Sequence, residues 1–176
     1  HIEVLEYAHY NFGVAVGPDG SVYFTEFKGT LSRRMPNGKL VVRHFNRGGA
    51  YGVTVDQDGN MFVGFDSDTD EGYILKITPT GEETQIVQGL TRPRQLACDP
   101  QGNVLFVVEG KREIRRWNKA DASAETLISG LNCPQGVAAG ADGSVYYTEY
   151  GKFGIRGVAL EPGSLFVRRP DGTIST

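Results

Sequence analysis

The chain has 176 residues, 39% hydrophobic and 22% charged, enough apolar material for one packed domain or one repeat array and too much for a disordered tail. Its net charge is −3 and its basic residues fall in isolated pairs (Arg33-Arg34, Arg115-Arg116, Arg168-Arg169), which argues against a nucleic-acid partner or an anionic membrane surface. No apolar run approaches the roughly 18 residues of a membrane span, and without a signal-peptide pattern or an initiating Met the numbering is expected to start on a processed or trimmed product.

Residues 2–7 read as a strand that belongs to no preceding unit. Four similar segments follow: GVAVGPDGSVYFTEF from Gly13, GVTVDQDGNMFVGFD from Gly52, QLACDPQGNVLFVVE from Gln95 and GVAAGADGSVYYTEY from Gly136. Their turn glycines, Gly20, Gly59, Gly102 and Gly143, are 39, 43 and 41 residues apart. A period near 40 with strand-type patterning is that of a β-propeller blade.

Each unit predicts four strands. Strand a is short, at 14–16, 53–55, 96–98 and 137–139, with small side chains suited to a crowded ring centre. A Pro-Asp-Gly type turn follows, in which Pro fixes φ, Asp caps and Gly supplies positive φ. Strand b, at 22–25, 61–63, 104–107 and 145–148, is rich in Val, Tyr and Phe. Strand c falls at 31–34, 74–77, 114–117 and 165–168. A second turn leads to strand d at 40–45, 84–87 and 125–128. The fourth unit nearly stops after Pro170-Asp171-Gly172, so the N-terminal strand is expected to complete it.

The expected fold is all-β: one four-bladed β-propeller of four-stranded antiparallel blades, closed by the N-terminal strand. The blades span about 11–48, 49–91, 92–132 and 133–176, the last with strand 2–7. A piece of a larger ring, or a half-ring that pairs with a second chain, stays open beside this, as does monomer against homodimer. Cys98 and Cys133 are too few for a disulfide framework and are expected as free, mostly buried thiols. Cysteine usage leans to the cytoplasm and leaves secretion open.

The unit GVAVGPDGSVYFTE, repeated as GVAAGADGSVYYTE, resembles the repeat of the virginiamycin B lyase (streptogramin lyase) and NHL-type propellers. It also resembles the wider calcium-dependent phosphotriesterase and gluconolactonase group. The resemblance covers essentially the whole chain and implies the fold. Such lyases have more blades and eliminate across a lactone ester with a divalent metal and a histidine base. Here there are four units and only His1, His9 and His44, none with the Glu-x-His spacing, so no catalytic residue is carried over.

Candidate residues follow from the ring geometry, in which d–a and b–c loops share one face. Just before strand a stand Phe12, Tyr51, Arg94 and Gln135, with Asn11 beside them. Two aromatics, a guanidinium and an amide suit an aromatic or anionic small molecule; Phe12 and Tyr51 plugging the axis is the plainer alternative. Strand b ends in a carboxylate in each blade, within one position: Glu26, Asp66, Glu109 and Glu149. These suit a hard cation or a raised-pKa acid, or pair with Arg and Lys nearby. Asp66, Asp68 and Asp70 alternate in one loop, as oxygen ligands of Ca²⁺ do, but the EF-hand pattern is not met. The loop 150–162, with Lys152, is long enough for a flap or a subunit contact.

Two function classes remain. One is a module binding a small molecule or peptide at the channel mouth. The other is a lyase or hydrolase, metal-assisted with Ca²⁺ or Mg²⁺, in which Glu26, Glu109 and Glu149 serve as ligands or acid/base, Arg94 holds an anion and Tyr51 packs or donates a proton.

Overall fold

Strand-forming runs of Val, Tyr, Phe and Ile separated by glycine turns fold as the repeat predicts. A computed structural model describes residues 11–46, 49–150 and 162–176. It contains four sheets, each of four sequential antiparallel strands. Blade one is β1 (Asn11–Val16), β2 (Val22–Glu26), β3 (Thr30–Arg34) and β4 (Leu40–His44). Blade two is β5 (Ala50–Val55), β6 (Met61–Phe65), β7 (Gly72–Ile77) and β8 (Glu83–Leu90). Blade three is β9 (Pro93–Cys98), β10 (Val104–Val108), β11 (Glu113–Trp117) and β12 (Ala124–Ile128). Blade four is β13 (Pro134–Ala139), β14 (Val145–Glu149), β15 (Ser164–Arg168) and β16 (Ile174–Ser175). The chain is a four-bladed β-propeller.

Residues 2–7, His1 and His9 lie outside the described residues. Blade four is nonetheless four-stranded, because β16 pairs with β15 through Val167–Ser175 and Arg168–Ile174. The outer position assigned to the N-terminal strand thus holds the chain's own C-terminal residues. At two residues, β16 is too short to leave an alternating pattern in the sequence.

The a–b turns use two capping chemistries. Gly20, Gly59, Gly102 and Gly143 all have φ between 76° and 86°, where a Cβ would be strained. In blades one and four, Asp19 and Asp142 accept from the N–H and hydroxyl of Ser21 and Ser144. In blades two and three the cap comes earlier. Asp56 and Asp99 accept from the backbone and side-chain amides of Asn60 and Asn103. Glycines 17 and 140 occupy that earlier position in the other two blades.

Alternating residues of each strand face the blade before and the blade after. Among the described residues the core is therefore three sandwiches. Tyr23 and Leu31 of blade one pack on Val53, Val55, Val63 and Leu75 of blade two. Phe62 and Ile74 pack on Leu96, Val104, Phe106 and Trp117. Leu105, Val107 and Ile114 pack on Val137, Val145 and Tyr147. The inner strands β1, β5, β9 and β13 lie side by side in that order. Among the described residues no core cluster joins blade four to blade one.

Candidate functional site

Every a–b ladder carries a β-bulge at the same place. In blade one Asn11 pairs with Glu26 and Val14 with Phe24, so Phe12 and Gly13 together face Thr25. The same slip falls between Ala50 and Val53, between Pro93 and Leu96, and between Pro134 and Val137. A bulge re-aims the side chains it contains. The bulged residues include Phe12, Tyr51, Arg94 and Gln135, and all four line one cavity of about 800 Å³. Glu109, Thr148, Tyr150 and Leu165 also line it. Asn11 lies instead in a second hollow of about 320 Å³ on blade one, shared with Phe12, Val14, Phe24 and Arg34. Lys152 and the rest of its loop, 151–161, are outside the described residues.

The blade-one side of the mouth is aromatic. The Phe12 and Tyr51 rings sit 4.2 Å apart between centroids, and Phe27 stands 5.9 Å from each. Phe12 is 46% exposed and Tyr150 52%, so both present ring surface to the cavity and solvent. Arg94 closes the blade-three side. Its Cζ lies 4.4 Å from the Tyr51 ring centroid, a cation–π distance. Its Nε donates to Glu109 Oε2 at 2.5 Å, and Nη1 reaches Asp66 Oδ2 at 3.4 Å. Nη2 makes no hydrogen bond to a described residue. Burial opposes the Arg94 charge, but the Glu109 hydrogen bond and the Asp66 and Glu109 charges outweigh it and raise its pKa. Burial pushes the Asp66 carboxyl upward, and the Arg94 charge only partly opposes it. Asp66 Oδ1 is buried and unpartnered.

The four strand-end carboxylates do not converge. Glu26 pairs across its ladder with Asn11, and Glu149 with Pro134, whereas Phe65 and Val108 hold that rung in blades two and three. Asp66 and Glu109 come one residue later, where blades one and four have Phe27 and Tyr150. Side chains alternate along a strand, so a one-residue offset sends the two sets to different sides. Glu109 and Asp66 meet on Arg94; Glu26 and Glu149 do not join them. Reading the offset as equivalence also hid Phe27 and Tyr150, which sequence spacing counted from the turn glycines would have found.

The acidic loop is divided among separate cations. Asp68 pairs with Arg92 at 2.8 Å and Asp70 with Lys111 at 3.3 Å, while Asp66 faces Arg94. Thr91 also donates to Asp70. Among the described residues no three His, Cys, Asp or Glu side chains group as a metal site. Cys98 is half-buried, but Cys133 is exposed rather than buried, with its Sγ 4.0 Å from Glu109 Oε1. It precedes β13 in a left-handed conformation at the surface, not within a strand.

No protein-family model matches the sequence, and no curated protein matches it. Solved structures do. Virginiamycin B lyase from Staphylococcus aureus is 16% identical and superposes with a TM-score of 0.68 over 92% of this chain and 53% of that one. A nidogen/laminin complex gives 17% identity and a TM-score of 0.77, covering 94% of this chain and 62% of that one. The fold is that of the propellers the repeat resembles. The calcium-binding protein regucalcin from Agrobacterium tumefaciens is 14% identical with a TM-score of 0.63, covering 98% and 75%. The chain spans about half the length of the lyase it matches.

Proposed function

We propose that the mouth binds a small molecule with a planar aromatic body and an anionic group. The observation that carries this is the meeting, around one cavity, of exposed aromatic surface from Phe12 with an Arg94 whose Nη2 edge no described residue engages. The aromatic rings take the ligand body by stacking, and Nη2 takes its anion by a charge-assisted hydrogen bond. The Gln135 amide offers one further donor and one acceptor. Asp66 and Glu109 hold the guanidinium in place before the ligand arrives. A peptide ending in an aromatic residue would offer the same two groups through its side chain and terminal carboxylate.

Matched propellers include a lyase and a calcium-binding protein, so a catalytic reading stands beside this one. Glu109 and Arg94 would then position the substrate, with Tyr51 against it. The aspartates at 66, 68 and 70 do not fit a resident Ca²⁺ or Mg²⁺, because each already faces its own Arg or Lys.

Thermal-shift and saturation-transfer measurements with hydroxybenzoates and indole carboxylates, against their neutral amides, test the proposal. Carboxylates should bind and amides should not, and Arg94→Gln should abolish the difference. Equal binding of acids and amides would remove Arg94 from the reading. A rise in melting temperature on adding Ca²⁺ alone would favour the metal alternative.

A further inference from the structure

Strand alternation decides which side chains face the seam between blades two and three. Ile74 packs on blade three while Leu75 and Ile77 pack on blade one, so Lys76 also faces blade three. Trp117 packs on blade two while Ile114 packs on blade four, so Glu113 and Arg115 also face blade two. The level of one sheet against the other is fixed at the inner strands, where Cys98 N–H donates to Thr54 Oγ1 at 3.1 Å. Ladder pairing carries that level outward, through Phe62 to Lys76 in blade two and through Val104 to Trp117 in blade three. Lys76 and Trp117 therefore stand on the same level across the seam, and the Phe62 and Trp117 rings are 6.0 Å apart. Arg115 is one rung away on the same face of β11.

The cations of this seam lack counter-ions. Arg33, Arg43, Arg92, Arg94 and Arg116 each hold a carboxylate within ion-pair distance. Arg115 and Lys76, both half-buried, form no ion pair with a described residue. Arg115 Nε is buried and donates to no described group, and its Cζ lies 6.0 Å from the Phe106 ring centroid. Trp117 is 5% exposed, and its Nε1–H also finds no acceptor among the described residues. The nearby acids are engaged elsewhere. Glu113 accepts from the Thr126 hydroxyl at 3.5 Å, and Asp58, whose charge Lys76 feels, accepts from Lys119 Nζ at 2.5 Å. A half-buried guanidinium with an unmade hydrogen bond costs free energy that a bound anion would recover.

We propose that this seam binds an inorganic oxyanion of the phosphate type, held by the Arg115 guanidinium from blade three and Lys76 Nζ from blade two, over the Trp117 indole. A guanidinium fork takes two oxygens of such an anion, and the ammonium adds a point charge. Long apolar stems let both heads reach the solvent edge of the seam. The site is separate from the mouth, since neither Arg115 nor Lys76 lines that cavity. An anion that touches both blades binds the folded protein alone, so it stabilises the seam by mass action.

Trp117 is the chain's one tryptophan, so its emission reports this seam directly. Titrating the full chain with sodium phosphate should change that emission saturably, and sodium chloride at matched ionic strength should not. Arg115→Gln and Lys76→Gln should each raise the phosphate dissociation constant roughly tenfold, the loss of one charge-assisted hydrogen bond. Far-UV circular dichroism should match the wild type in both, and Lys76→Gln carries the test should Arg115→Gln not fold. Lys76→Glu, which brings a carboxylate to Arg115, should abolish the response. An emission change that chloride reproduces would mean screening alone and would overturn the proposal. So would a saturable change that survives both glutamine substitutions, or no change in the wild type at any soluble phosphate concentration.

Discussion

The Arg94 guanidinium lies over the Tyr51 ring, 4.4 Å from its centroid, while its Nε holds Glu109. One side chain therefore ties blade two to blade three at the rim. Arg94→Met should lower stability by about 2 kcal/mol, because it leaves two largely buried carboxylates without their cation. Adding Glu109→Gln should recover part of that loss. Urea unfolding of the two variants measures both effects. If Arg94→Met unfolds like the wild type, the pair is not structural.

Asp66 carries a carboxyl whose pKa burial raises in the folded state. A raised carboxyl pKa favours the protonated form, so its contribution to stability is present below the unfolded-state pKa. It is lost as pH rises through the folded-state value. Asp66→Asn should therefore melt above the wild type at neutral pH, and the gap should vanish below about pH 3, where both states are protonated. Melting curves across that range check it. A gap that widens on acidification would be the wrong sign.

Asp56 is buried and accepts three hydrogen bonds, from Asp58 N, Asn60 N and Asn60 Nδ2. Asp56→Ala should cost about 2–3 kcal/mol, since those donors lose a charged acceptor. Asp142→Ala, in an exposed cap of the other type, should cost under about 1 kcal/mol. Paired denaturation curves give the ratio directly.

The two thiols should differ in reactivity. Burial pushes the Cys98 thiol up to about 12, so almost no thiolate forms at neutral pH. Cys133 is exposed. A maleimide should label one thiol per native chain and two after denaturation. Rapid labelling at Cys98 in the native protein would show that β9 is not packed as described.

The blades were legible because their signals are local: a glycine turn every 40 or so residues and strands of period two. The mouth residues before strand a were also legible, since repeats that agree elsewhere disagree there. Two things were not. The convergence of Glu26, Glu109 and Glu149 fails on a single-residue offset, which compositional similarity at strand ends conceals. The destination of each loop aspartate depends on Arg92, Arg94 and Lys111, which are 24, 28 and 41 residues away along the chain from their partners Asp68, Asp66 and Asp70, and no local pattern announces such pairings.

Four blades joined by three sandwiches have unequal neighbours. Among the described residues, blades two and three are each clasped on both sides, and blades one and four on one side only. In an array held by nearest-neighbour contacts, the ends open before the middle. Amide exchange should thus be slowest in β6 and β10 and should quicken outward toward β2 and β14.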